Sequence, residues 1–164
     1  MQRLGRWHDA SSRWLFRLAG AALLLAVALY VFEVVARYLF DAPTTWSGEA
    51  VQYALAVLIF GALPDVTRRG AHVAIDIVPE ALPPGARHWL GRANHLIGAT
   101  ATAVAGGIVA GEALRQFERG LMTNAAHPIP RWWLTALIAL GLISAALHFL
   151  RHAKADAGSA DAQS

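Results

Sequence analysis

Leu18-Ala-Gly-Ala-Ala-Leu-Leu-Leu-Ala-Val-Ala-Leu-Tyr-Val-Phe-Glu-Val-Val-Ala36 is nineteen residues long with one charge, Glu33. Crossing a bilayer core of about 30 Å takes about 20 helical residues. Lipid offers backbone amides no partner, so a crossing must be helical. Arg3, Arg6, Arg13 and Arg17 precede this run, and it contains Ala26-Val27-Ala28, so its start imitates a secretory signal with a small-residue cleavage site. The run continues eight residues beyond Ala28, which favours a retained membrane anchor.

Three more runs of the same kind follow. They are Trp46–Val66 with Glu49 and Asp65 near its ends, His95–Leu114 with Glu112 near its end, and Trp132–Leu150 with no Asp, Glu, Lys or Arg. The expected fold class is therefore all-α, a polytopic membrane protein with four transmembrane helices at about 18–36, 46–66, 95–114 and 132–150. Residues 1–152 form one membrane domain. The small polar tail, 153–164, is expected to be disordered.

Composition agrees. The chain is 56% hydrophobic and 15% charged, where soluble domains carry about 25% charge. There is no cysteine, which excludes disulfides, thiolate metal sites and a cysteine nucleophile. The net charge of +3 would raise nucleic-acid binding in a soluble protein. Here the basic residues flank apolar runs and report topology instead, so no nucleic-acid partner is expected. Arg3, Arg6, Arg13, Arg17, Arg68, Arg69, Arg87, Arg92, Arg151 and Lys154 fall on the side of the termini, and Arg37, Arg115, Arg119 and Arg131 on the other. The positive-inside rule puts both termini in the cytoplasm.

The loops add detail. Asp41-Ala42-Pro43 signals a turn. In the second loop Leu82, Ala86, Trp89, Leu90 and Ala93 recur at helical spacing after Pro83-Pro84, with Arg87, His88 and Arg92 between them. That pattern predicts a short amphipathic helix at the cytoplasmic interface over 83–93; an ordinary connector is the alternative.

Ionisable residues inside spans are functional candidates by default. Glu33 lies about 24 Å from Arg17 along a helix, near the outer interface. Arg37 follows at i+4, the spacing of a helical ion pair. A structural pair is the first reading, with contact to a partner subunit second and a transport role third. Trp46 suits the interface, and Glu49 suits the first turn of a helix. Gly98, Thr102, Gly106 and Ala110 repeat every four residues, beside Ala99, Ala103, Gly107 and Gly111. Such rows let helices approach closely in lipid. His72, His95 and His148 near cytoplasmic helix ends raise a haem- or quinone-associated electron-transfer subunit as the alternative. Runs one and two contain no histidine, so no cofactor or metal is expected. No nucleotide-binding, zinc-protease or nucleophile-elbow motif is present, and the chain is read as not an enzyme.

Glu33-x-x-x-Arg37-Tyr38-x-Phe40-x-x-Pro43-x-x-Trp46-x-x-Glu49, a helix containing Gly61, then Arg68-x-Gly70-x-His72-Val73 and Pro79 together resemble the small membrane subunit of tripartite ATP-independent periplasmic (TRAP) transporters, the DctQ-type family. One departure is visible: Gly48 stands where family members often carry a second acid before the one at Glu49. The resemblance implies a scaffold in the bacterial inner membrane. Its partners would be a large multi-span subunit that carries solute with sodium, a periplasmic substrate-binding protein that delivers a carboxylate, and membrane lipids. The substrate would be chosen by those other proteins.

Overall fold

Pro64 stands inside a helix, and its position organises the bundle. The computed structural model describes residues 2–70, 84–124 and 128–161, with side chains described over 7–70, 89–124 and 128–154. Four helices make up this part: α1, Gln2–Leu39; α2, Ser47–Arg68; α3, Pro84–Glu118; and α4, Arg131–Asp161. All four are long and apolar enough to cross a membrane. α1 packs on α2, α2 on α4, and α4 on α3. The helices thus form an open row, α1–α2–α4–α3.

In α2, Pro64 has no N–H to give the Phe60 carbonyl, its i−4 partner. That carbonyl is the nearest neighbour of the place where a Cβ on Gly141 of α4 would stand. A glycine on one helix therefore admits the backbone oxygen that a proline on the other has freed. At the α1–α2 contact, a Cβ on Gly61 would stand 3.2 Å from the Leu15 carbonyl. The buried apolar residues are nearly all alanine, with Ala22, Ala26 and Ala54 packed against Val51, Val57 and Leu58. The large apolar side chains point outward. This inverts the rule for proteins in water and matches close helix approach in lipid.

The helices outrun the hydropathy limits at three places. α1 begins at Gln2 rather than near 18. Ser11 and Ser12 turn their hydroxyls back to the carbonyls of Trp7 and His8, each at 3.0 Å, so neither interrupts the helix. Residues 84–93 do not form a separate helix. They are the first turns of α3, which opens at Pro84, where the missing N–H costs nothing. The tail expected to be disordered from 153 is helical to Asp161; alanines at 153, 155 and 157 carry the helix onward.

α2 ends at Gly70, whose φ of +64° is left-handed and whose N–H bonds the Thr67 carbonyl at 3.1 Å. Gly120 closes α3 in the same way. Between α3 and α4, Met122 pairs with Pro130, and Thr123 holds Ile129 through backbone and hydroxyl.

Candidate functional site

Glu33 is the hub of the end of the bundle away from the termini. Its Oε1 accepts from Arg37 at 2.7 Å, an i,i+4 ion pair. Its Oε2 accepts the Thr44 N–H at 3.2 Å, the Thr44 hydroxyl, and the Ser47 hydroxyl at 2.8 Å. One carboxylate thus closes the α1–α2 loop and supplies an anion at the start of α2, where unpaired N–H groups favour negative charge. Trp46, the residue before α2, makes no side-chain cap bond of its own. Its ring lies 6.1 Å from that of Phe32. Glu49 lies half-buried in the first turn of α2. Tyr38 and Pro43 are exposed. The sequence pairing of Glu33 with Arg37 holds in the structure; the two hydroxyls were not foreseen, because Thr44 and Ser47 carry no pattern of their own.

At the other end of α2, Asp65 is fully buried and accepts from Arg68 and Arg69, with nitrogen–oxygen distances of 2.7 and 2.6 Å. Arg69 also lies over the Phe16 ring of α1, 5.1 Å from its centroid. Arg68 was singled out by the family-like motif, and Asp65 supplies its reason. His72, with Val73 and Pro79, lies outside the described residues.

Among the described residues, four histidines form two stacked pairs. His8 and His148 have ring centroids 4.2 Å apart, and His95 and His152 5.4 Å. Ser12 and His148, both almost fully buried, are hydrogen-bonded at 2.9 Å, and His8 meets Ser144 at 2.8 Å. His152 donates to the Thr67 carbonyl at 3.1 Å. Possible ligand atoms of His8, Asp9 and His148 lie within 4.8 Å of one another, a spacing that suits a metal ion. Arg151 already supplies the cation there. Its guanidinium lies 2.6 Å from Asp9 and 3.4 Å from His8 Nδ1. The cluster therefore reads as a polar clasp between α1 and α4. The sequence gives no sign of His8 and His152 as partners, since 140 and 57 residues separate them from their ring partners and no local pattern links them.

The small-residue rows divide. A Cβ on Gly98 would stand 3.1 Å from the Phe149 ring, and one on Gly106 2.9 Å from Ile143. That row packs on α4. Thr102 sits in it with its hydroxyl bonded back to Gly98 at 2.7 Å. Gly107 and Gly111 meet nothing within 4 Å and face outward.

A glutamate–arginine hub, a tryptophan at the start of α2 and an arginine–glycine end to it now stand at defined places on four membrane-length helices. The model of the family "Tripartite ATP-independent periplasmic transporters, DctQ component" matches residues 26–157. The chain belongs to that family. It is thus a small membrane component of a tripartite transporter, and a multi-pass membrane protein. No curated protein matches it closely. The match to the DctQ family spans the Glu33 hub, all of α2 and α3, and α4 almost to its end.

Proposed function

We propose that this DctQ-family chain is the bracing subunit of its transporter. It sits in the bacterial inner membrane with both termini in the cytoplasm. It holds a large multi-span subunit that moves the solute with sodium, and its outer loops help to dock a periplasmic substrate-binding protein. The solute class is a carboxylate.

The observation that carries this reading is the state of the charged groups in the spans. Glu33 is taken up by Arg37, Thr44 and Ser47, and Asp65 by two arginines. Transport sites need polar groups left open to the solute at mid-membrane, whereas these groups face one another near helix ends. Gly107 and Gly111 leave α3 a smooth outer strip on which another helix can lie closely.

Co-expression with the large subunit tests the proposal. The two should co-purify, and liposomes should take up solute only when both are present with the binding protein. Uptake by liposomes holding this chain alone would refute it.

A further inference from the structure

α1 and α4 are not neighbours in the row of helices, yet the polar clasp joins them. The protons of the clasp follow from its partners. Ser12 donates its one hydroxyl proton to the His8 carbonyl at 3.0 Å, so at 2.9 Å it accepts the Nε2–H of His148. A guanidinium only donates. Arg151, 3.4 Å from His8 Nδ1, therefore requires that nitrogen to be bare. The His8 proton then lies on Nε2, 2.8 Å from the Ser144 hydroxyl. Each ring thus carries its proton on Nε2, and His8 is neutral.

Neither ring has room for a second proton. On His8 it would sit at Nδ1, donor against donor and cation against cation with Arg151. On His148 it would charge a ring that is 2% exposed and stacked 4.2 Å from His8. A buried charge without a partner is costly, and the surrounding charged groups offer none. Asp9 of α1 is the nearby acid, and Arg151 binds it at 2.6 Å. From α2, Arg68 brings further positive charge to His148 and is itself held by Asp65. α3 lies beyond α4, and its His95 stacks on His152 instead.

We propose that the His8–His148 stack is a pH-sensitive latch on the side of the termini, holding α1 to α4 at neutral pH and releasing it in acid. In the released arrangement the rings meet water and take up protons that the closed stack does not hold. A state that binds more protons gains as pH falls. The closed form is therefore fully favoured above the ordinary histidine value of about 6.5 and weakens below it. There each ring contributes about tenfold per pH unit to the ratio of released to closed chains. Once released, α1 keeps its packing on α2.

The chain has no cysteine, so spin labels can be placed at Ser11→Cys on α1 and Lys154→Cys on α4, both exposed. Their separation in the full chain, in mild detergent, is read by pulsed electron resonance at about pH 7.5 and about pH 5.5, a range in which histidine titrates. Between the two the ratio of released to closed chains should rise about 10- to 100-fold. His8→Gln with His148→Gln keeps N–H donors on both helices and cannot titrate, so the separation should not change with pH. Arg151→Gln lets His8 take a proton beside Asp9, so this variant should release less in acid than wild type. An unchanged wild-type separation in acid would overturn the proposal. Acid release that persists in the double histidine variant would also overturn it, assigning the effect to His95 and His152. Should that variant not fold, Arg151→Gln still decides: acid release equal to wild type would overturn the proposal too.

Discussion

Replacing Gly141 by alanine adds one methyl group, and the structure says where it goes. The new Cβ falls on the Phe60 carbonyl oxygen of α2, with the carbonyl carbon 3.1 Å away and the Phe60 Cβ at 3.2 Å. Two of these three are backbone atoms, so no rotamer change relieves the overlap. Overpacking of this kind costs about 1–3 kcal/mol. The same change at Gly107 meets open space, and Gly→Ala within a helix favours the folded state by up to about 1 kcal/mol. For a chain of this length each kcal/mol shifts the melting temperature by about 2–4 °C. Gly141→Ala should therefore melt several degrees below wild type, and Gly107→Ala at or slightly above it. Gly106→Ala should fall between them, since its new Cβ meets the Ile143 side chain at 2.9 Å but the nearest backbone atom only at 3.3 Å. Thermal unfolding of the purified chain in one detergent gives all three values. Equal stability of the Gly141 and Gly107 variants would refute the argument that Pro64 and Gly141 set the α2–α4 contact.

Three further outcomes are expected. Alkaline phosphatase fused after Asp41 or Asn124 should be active, and fused after Ser164 inactive; activity at Ser164 would contradict termini in the cytoplasm. Gly107→Leu should leave the chain folded but reduce its co-purification with the large subunit, because this bulk stands on an open face; unchanged co-purification would assign that face to lipid. Asp9→Asn should loosen the α1–α4 clasp by leaving Arg151 without its anion, so proteolysis within residues 2–10 should speed up. Its pairing with Arg151→Gln should restore part of the protection, and an additive double variant would show that the two do not act together.

Hydropathy alone marks four crossings, because lipid demands about twenty apolar helical residues and nothing else in the chain imitates that. It does not mark where the helices end, since a helix can run on into the polar interface. Hence α1 reaches back to Gln2 and α4 on to Asp161. The Glu33–Arg37 pair was legible because both residues sit on one helix at i+4. Thr44 and Ser47 reach the same carboxylate only through the loop, and loop geometry leaves no periodic trace. The glycine rows of α3 were legible as rows, but which one meets α4 depends on the rotation of the helix, and Gly141 drew no notice because it stands alone in its run. The His8–His148 clasp joins residues 140 apart, a distance over which a single sequence carries no pairing signal.

A subunit that braces the transporter without carrying solute should tolerate changes at Glu33 that a solute path would not. Glu33→Gln removes the charge that holds Arg37 and weakens the closure made by Thr44 and Ser47. Arg37→Gln leaves the carboxylate without its cation. Breaking one side of such a pair is worse than replacing both, so each single change should lower the yield of assembled complex and the double change should recover part of it. The decisive quantity is uptake per assembled complex in liposomes, measured with saturating binding protein and a sodium gradient. A bracing role gives uptake close to wild type in all three variants. Normal assembly of Glu33→Gln with lost turnover or lost sodium dependence would place Glu33 in the transport path and contradict it.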